Sequence, residues 1–147
     1  MKTLEYDETA TRQLVAVYLA PDVVAQREQV LYALQPLPGE RVLDVGAGPG
    51  LLACAIAERV APTGGVAGID ISEPMLERAR TRLTGLARAD VRLERMDARA
   101  IAFPDAHFDK VLAPYVISVV PDPDKVLAEM VRVCRKGGTI IVVNHFQ

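Results

Sequence analysis

One short stretch, Arg41 to Gly50 with the sequence RVLDVGAGPG, limits what this chain can fold into more than any other. Its first half is an apolar run, which predicts a buried strand. Its second half holds three closely spaced glycines, Gly46, Gly48 and Gly50. Glycines permit a turn whose backbone can approach a ligand closely, because they have no Cβ. Residues 51–60 follow without a helix breaker. The pattern therefore predicts strand, glycine turn and helix, with backbone N–H groups directed at the space above the turn.

The glycine spacing excludes two common nucleotide-binding loops. The dinucleotide fingerprint places its third glycine one residue later, where this chain has Leu51. The stretch also lacks the G-x-x-x-x-G-K-[ST] pattern of a triphosphate-binding loop. Asp44, two residues before the first glycine, would repel a pyrophosphate at the carboxyl end of the strand. The turn therefore predicts a ligand that carries an ammonium or a sulfonium group.

Composition excludes several other functions. The formal net charge of −2 argues against a general nucleic-acid binder. The first residues lack the apolar segment of a signal peptide, and no apolar run reaches the length of a membrane span. We therefore expect a cytoplasmic protein with at most peripheral membrane contact. Cys54 and Cys134 have no metal-like spacing, so we expect two buried thiols in a reducing compartment and no metal site.

Strand and helix patterns alternate along the rest of the chain, which predicts an α/β fold with parallel strands and right-handed crossovers. After the first strand, further strands are predicted at residues 66–69, 91–93, 110–113 and 139–146. Two helices are predicted before the first strand, at residues 8–19 and 23–35. We expect residues 1–35 to form an N-terminal helical cover and residues 36–147 to form the core of a single domain.

The segment V-L-D-V-G-A-G-P-G resembles motif I of the class I S-adenosylmethionine-dependent methyltransferases. The resemblance agrees with the charge argument, because this cofactor carries a cationic amine and a cationic sulfur. It implies a Rossmann-like doubly wound sheet of five mainly parallel strands in the order 3-2-1-4-5. The chain ends at Gln147, so we expect it to lack the last two strands of the full fold. The fifth strand would then have an open edge, which either a homodimer or the N-terminal helices would cover.

The resemblance also assigns the cofactor-binding residues. Asp44 and the turn would hold the methionine part, Asp70 the ribose hydroxyls, and Ile71 and Asp97 the adenine. The complete cofactor-binding set is Asp44, Gly46, Ala47, Gly48, Gly50, Asp70, Ile71, Met75, Asp97, Ala98 and Pro114. Two alternatives stay open: Ile71 could instead pack on Leu76 as a hydrophobic staple, and Asp97 could serve only to form a turn.

Tyr115 is the candidate for contacting the methyl acceptor, since the loop after the fourth strand faces the transferable methyl group in this fold. The segments 97–99, 115–123 and 142–146 resemble the bacterial soluble phosphatidylethanolamine N-methyltransferases. Residues 21–27 instead resemble generic small-molecule methyltransferases, including the ubiquinone/menaquinone C-methyltransferases. The sequence therefore does not decide between a small-molecule and a lipid acceptor. The amine of phosphatidylethanolamine is one of the possible acceptors.

The function that the resemblance implies is methyl transfer from S-adenosylmethionine, with S-adenosylhomocysteine as product. The alternative is a cofactor-binding or subunit-pairing module without turnover of its own. A nicotinamide oxidoreductase is disfavoured by the glycine spacing and by Asp44. His107 is expected to be a surface turn residue and not a base, and the arginine-rich stretch from Arg78 to Arg99 a solvated surface.

Overall fold

The computed structural model describes residues 13–19, 23–85, 89–114 and 120–145. Of residues 13–19, 23–24 and 144–145 it describes the backbone alone. The strands are β1 (Gln13–Leu19), β2 (Arg41–Val45), β3 (Gly65–Asp70), β4 (Asp90–Arg95), β5 (Phe108–Pro114) and β6 (Cys134–His145). The helices are α1 (Val23–Leu34), α2 (Leu51–Val60), α3 (Glu73–Leu83) and α4 (Pro123–Val133). They confirm the predicted alternation from Arg41 onward.

All the strands belong to one parallel sheet in the order β1-β6-β5-β2-β3-β4. The five strands predicted from the sequence are β2 to β6, and their order is the predicted 3-2-1-4-5. In a sheet wound in both directions from its centre, ligands bind beyond the carboxyl ends of the strands where the strand order reverses. Here the order reverses at β2, since β3 lies on one side of it and β5 on the other.

The core has two layers, one on each face of the sheet. Alternate residues of β2 point to opposite faces: Val42 joins a cluster with α1, α2 and α3, while Leu43 and Val45 join a cluster with α4. Because β2 is buried on both faces, its sequence is a nearly continuous apolar run. The buried charge of Asp44, which interrupts that run, therefore has no structural explanation in core packing alone.

The N-terminal prediction is wrong for residues 13–19, which form β1 and not part of a helix. This strand pairs in parallel with β6, from Gln13 opposite Thr139 to Leu19 opposite His145. Its sequence QLVAVYL contains β-branched and aromatic residues, which suit a strand when a partner edge is present. The fifth predicted strand, β6, therefore has no open edge along this segment, and the premise of a homodimer through that edge is corrected. The helix predicted at 23–35 is confirmed as α1.

The junction between α4 and β6 also differs from the prediction. The sequence predicted that the last strand begins at residue 139, but α4 ends at Val133 and β6 already begins at Cys134. The pairing of β5 with β6 shifts register between Phe108 and Lys110, which absorbs the extra residues in a bulge. Cys134 is fully buried, as predicted, whereas Cys54 is only half-buried.

Neither a membrane helix nor a metal site is found in the part of the chain that the structure describes. No described helix has the length and apolar character needed to cross a bilayer. Within the same residues, no group of three or more His, Cys, Asp or Glu side chains could hold a metal ion.

Candidate functional site

The glycine turn between β2 and α2 has a backbone that only glycine adopts without strain. Gly46, Gly48 and Gly50 have φ angles of 79°, 55° and 84°, all in the left-handed region that disfavours residues with a Cβ. The N–H groups of Gly46 and Ala47 both donate to the carbonyl oxygen of Ile69, at 2.8 and 2.9 Å. These bonds bring the turn against the carboxyl end of β3.

Helix α3 holds the other side of the turn. A Cβ at Gly50 would lie 2.8 Å from the Cβ of Ala79 in α3, so this position requires glycine for close packing as well as for φ. The Arg82 Nε donates to the carbonyl oxygen of Pro49 at 3.1 Å. The turn is therefore fixed by backbone and side-chain contacts on both sides.

Asp70, the last residue of β3, holds the turn from below. One carboxylate oxygen accepts from the N–H of Gly48 and the other from the N–H of Ser72, both at 2.9 Å. Ser72 caps α3, because its hydroxyl oxygen accepts from the N–H of Met75 at 3.3 Å. Each oxygen of Asp70 has a second lone pair that can still accept a hydrogen bond from a ligand.

Asp44 is a buried carboxylate with a raised pKa. Its side chain is 1% exposed. Neither carboxylate oxygen has a hydrogen-bond partner in the described part of the chain. Burial, and secondarily the charge of Asp70, raises the pKa of Asp44 from 3.8 to about 7. A buried carboxylate without a partner is unfavourable, and an added cation would compensate for it. The buried carboxylate of Asp44 therefore fits a ligand with a cationic amine.

A cavity of about 450 Å³ opens beside the turn, at the carboxyl ends of β2, β3 and β5. Six residues of the predicted set line it: Gly46, Asp70, Ile71, Asp97, Ala98 and Pro114. Its lining is mainly apolar, with two carboxylates and one guanidinium, and its volume lies in the range of ligand pockets. Ile71 stands at the mouth with 69% of its surface exposed, so in the ligand-free protein it is not buried as a hydrophobic staple would be.

The other five predicted residues do not line this cavity, and Asp44, buried in β2, is one of them. Ala47 is buried, and its Cβ lies 2.8 Å from the position that a Cβ on Gly68 would take. Gly48 is bound to Asp70, while Gly50 packs on α3. Met75 lies 36% exposed in the first turn of α3. Ala47, Gly48 and Gly50 shape the turn, and the contact of all these residues with a cofactor stays a prediction.

Asp97 is occupied by a neighbouring guanidinium. Its two oxygens accept from Nε and a terminal nitrogen of Arg99, the shortest distance being 2.7 Å. One of them also accepts from the backbone N–H of Arg99 at 2.8 Å. The hydrogen bonds from Arg99 lower the pKa of Asp97 to about 2. Asp97 thus forms the turn that the alternative interpretation proposed, and it lines the cavity as well.

Sequence reasoning missed part of the lining. The additional residues are Val45, Ile69, Met96, Arg99, Val120, Pro121 and Val126. Three of them could have been found, because Val45, Ile69 and Met96 lie next to predicted site residues at strand ends. Arg99 was predicted to belong to a solvated surface, but it is half-buried and lines the cavity. Val126 comes from α4, and its position depends on how that helix packs on the sheet.

One predicted site residue lies outside the part of the chain that the structure describes. Tyr115, the predicted acceptor contact, belongs to residues 115–119, which lie outside the described residues. Pro114 precedes this segment and Val120 follows it, and both line the cavity. Segment 115–119 is therefore flanked in the sequence by two residues of the cavity wall.

Comparison with known proteins identifies the family. A family model described as "Methyltransferase domain" matches residues 42–138, which is 97 of the 147 residues. A phosphatidylethanolamine N-methyltransferase from Cereibacter sphaeroides is 50% identical over 109 residues, 74% of this chain and 52% of the relative. A ubiquinone/menaquinone biosynthesis C-methyltransferase from Bordetella avium is 41% identical over 108 residues, 72% of this chain and 41% of the relative. The chain thus spans about half the length of the curated relatives it matches.

A solved structure shows the same relationship. The crystal structure of a SAM-dependent methyltransferase from Aquifex aeolicus superposes with a TM-score of 0.66 and 29% identity, over 74% of this chain and 58% of that chain. The family match includes the glycine turn, Asp44, Asp70 and Asp97, so the sequence relationship and the site coincide. On this evidence, the chain belongs to the family of S-adenosylmethionine-dependent methyltransferases.

Proposed function

We propose that this protein binds S-adenosylmethionine at the glycine turn and directs its methyl group to a nucleophile on a small-molecule or lipid acceptor. The single observation that carries the proposal is the buried carboxylate of Asp44, which has no partner among the described residues. A buried carboxylate beneath an open glycine turn suits a cationic ligand, which would favour its ionised form. The same charge opposes phosphate-bearing dinucleotides.

Different described residues would contact different parts of the cofactor. Asp44 would face the cationic methionine amine, and the free lone pairs of Asp70 would accept the ribose hydroxyls. The apolar side chains of Ile71, Met96 and Val126 would contact the adenine ring, since all three line the same cavity. We further propose that Asp97 accepts from the adenine amino group, which requires it to share its oxygens with Arg99.

The chemistry needs positioning more than acid–base catalysis. When bound, the cofactor supplies an electrophilic methyl group on a sulfonium. The chain would hold the acceptor in line with that methyl group, which supplies most of the acceleration when the acceptor is a neutral amine. The apolar lining excludes water from the reacting atoms. Tyr115, which follows Pro114 in the sequence, is proposed to contact the acceptor.

The acceptor that we propose to test first is the amine of phosphatidylethanolamine. The basis is the 50% identity to the Cereibacter sphaeroides relative, which carries that name. A quinone precursor is the second choice, because the Bordetella avium relative is named for ubiquinone and menaquinone biosynthesis. A cofactor-binding module without turnover is the rival function, since the chain spans about half the length of these relatives.

Two measurements test the proposal. Calorimetric titration of the full chain with S-adenosylmethionine and S-adenosylhomocysteine should give saturable binding that Asp44→Asn weakens. A release assay for S-adenosylhomocysteine should then be run with phosphatidylethanolamine vesicles, phosphoethanolamine and a demethylated quinone. Turnover with one acceptor supports the enzyme, and binding without turnover on any of them supports the rival. A folded protein that binds neither cofactor form would overturn both.

A further inference from the structure

A second cavity, of about 240 Å³, lies at the opposite end of the sheet, beside the amino ends of β2, β3 and β4. Small residues of β3 create the space. Gly65 lies between Arg41 of β2 and Asp90 of β4 in the sheet register. Two residues further, Ala67 is paired with Arg92 of β4. Because residues two apart in a strand share a face, Arg41 and Arg92 flank a hollow in which β3 contributes almost no side chain.

Aromatic rings form the wall of this hollow. The side chains of Phe103, His107 and Phe108 line it. Phe103 and His107 stack with centroids 5.7 Å apart, and His107 meets Phe108 edge-on at 4.8 Å. Both phenylalanines are buried. The imidazole of His107 is thereby held in one place, with part of its surface toward the cavity.

The charges around the hollow are mainly positive. In the described part of the chain, neither Arg41 nor Arg92 forms an ion pair or a hydrogen bond through its guanidinium, although each could reach a ligand in the cavity. Of the carboxylates near Arg41, Glu40 pairs with Lys110 at 3.0 Å, and Asp109, which accepts from the backbone N–H of Arg41 at 2.8 Å, pairs with Arg135 at 2.6 Å. Asp90 is the one carboxylate among the described lining residues. The guanidinium groups thus outnumber the carboxylates that line the cavity.

The side chains of Arg41, Arg92 and His107 interact electrostatically. Burial, and then the positive charges of Arg41 and Arg92, lower the pKa of His107. Both arginines are therefore near enough to His107 to act on it together. An anion bound between them would reverse this effect, since it would favour the protonated imidazole.

We propose that this cavity binds a small phosphate-bearing ligand, with its anionic group between Arg41 and Arg92 and its organic part against the aromatic wall. Guanidinium groups suit phosphate because their N–H donors match its oxygens. The cavity is smaller than the ~300 Å³ of the smallest drug-sized pockets, so the ligand has a short organic group. The phosphate could be that of a free metabolite or of a lipid head group at a membrane surface.

This site is separate from the proposed methyl transfer. The two cavities share no lining residue, and they lie at opposite ends of the same strands. Phosphate binding at the cavity between Arg41 and Arg92, the arginine cavity, is therefore expected to persist in Asp44→Asn. Failure of the cofactor proposal would leave the phosphate proposal unaffected.

Nuclear magnetic resonance of the full chain tests the site directly. The sequence has two histidines, His107 and His145, so His107→Gln assigns the imidazole signals. Inorganic phosphate and phosphoethanolamine represent a free ligand, and vesicles of phosphatidylglycerol in phosphatidylcholine represent a lipid head group. We expect one of these probes to shift the His107 signals in a saturable way and to raise the pKa of His107.

Charge-matched variants decide whether the effect belongs to the cavity. Arg41→Gln and Arg92→Gln should each weaken binding by about tenfold, as expected for loss of a charged hydrogen bond, and Arg92→Lys should weaken it less. Arg78→Gln, on the exposed surface of α3, removes the same charge elsewhere and should leave binding unchanged. Shifts with soluble probes alone identify a free ligand, and shifts with vesicles alone identify a lipid head group. No saturable shift with any probe, or an equal loss in Arg78→Gln, would overturn the proposal.

Discussion

The carboxylate of Asp70 acts electrostatically on the buried carboxylate of Asp44, and its charge adds to burial in raising the pKa of Asp44 to about 7. The two residues belong to adjacent strands of the sheet. They differ in what surrounds them: Asp70 accepts two backbone hydrogen bonds, while Asp44 accepts none among the described residues. The site therefore places a carboxylate without a described partner where we propose that the cationic amine of the cofactor binds.

The stability of the ligand-free protein should fall as the pH rises toward 8. The pKa of Asp44 is higher in the folded protein, about 7, than the ordinary value of 3.8. Protonated Asp44 therefore contributes stability that is complete below about pH 4 and is lost as the pH rises through 7. Thermal unfolding between pH 5 and 8 measures this, and Asp44→Asn should flatten the dependence. An unchanged slope in that variant would assign the effect to other groups.

Cofactor affinity should change with pH in the opposite direction. The ionised form of Asp44 attracts the cationic amine, so the affinity for S-adenosylhomocysteine should increase as the pH rises from 6 to 8. Calorimetry at several pH values gives the dependence, with Asp44→Asn as the control. A wild-type affinity that is independent of pH would contradict the proposed placement of the amine.

Asp44→Ala should weaken cofactor binding more than Asp97→Ala. Among the described residues neither oxygen of Asp44 has a hydrogen-bond partner, whereas those of Asp97 are already bound to Arg99. We expect a loss of about tenfold or more for Asp44→Ala, typical of a charged hydrogen bond in a buried place, and a smaller loss for Asp97→Ala. Calorimetric dissociation constants decide the order, and the reverse order would refute the assignment of the two carboxylates.

Two glycine substitutions separate packing from backbone conformation. Gly50→Ala should lower the free energy of unfolding by about 2 kcal/mol or more, because the new Cβ meets Ala79 at 2.8 Å and the φ angle is 84°. Gly48→Ala should lower it by about 1 kcal/mol, the cost of a left-handed φ alone, since nothing lies within 4 Å of its Cβ. Denaturant unfolding measures both. Equal losses would show that contact with α3 does not decide the requirement at Gly50.

The pairing of β1 with β6 can be tested with neighbouring proline substitutions. Successive N–H groups of an edge strand point alternately toward and away from its partner, so one of Ala16→Pro and Val17→Pro should break a bond to β6 and the other should not. The disruptive variant should exchange the amide hydrogens of residues 139–143 faster. It should also self-associate at lower concentration by light scattering, because an unpaired edge strand favours intermolecular pairing. Identical behaviour of both variants and the wild type would argue against this pairing.

Local patterns predicted the central part of the fold. The apolar run of β2 and the glycines of the turn each act within a few residues, and the structure agrees with both. The segment 13–19 was assigned wrongly because its conformation depends on β6, more than 100 residues away in the sequence. Propensity alone does not reveal such a partner.

The candidate site was predictable to the same extent. Asp44 and Asp70 could be predicted because each lies at the end of a predicted strand, next to the glycine turn or in the adjacent strand. Asp70 lies in the cavity wall. The occupation of Asp97 by Arg99 depends on side-chain geometry that the sequence does not specify. The arginine cavity joins residues from β2, β4 and the segment before β5, so it becomes visible only when the strands are placed in order.

The buried carboxylate of Asp44 also bears on how long the protein would survive in a cell. A ligand that binds only the folded form shifts the unfolding equilibrium, by an amount that grows with its concentration. A cation beside Asp44 would in addition remove a repulsion that the ligand-free chain tolerates. We therefore expect the resistance of this protein to proteolysis, and with it its abundance, to follow the supply of its methyl donor.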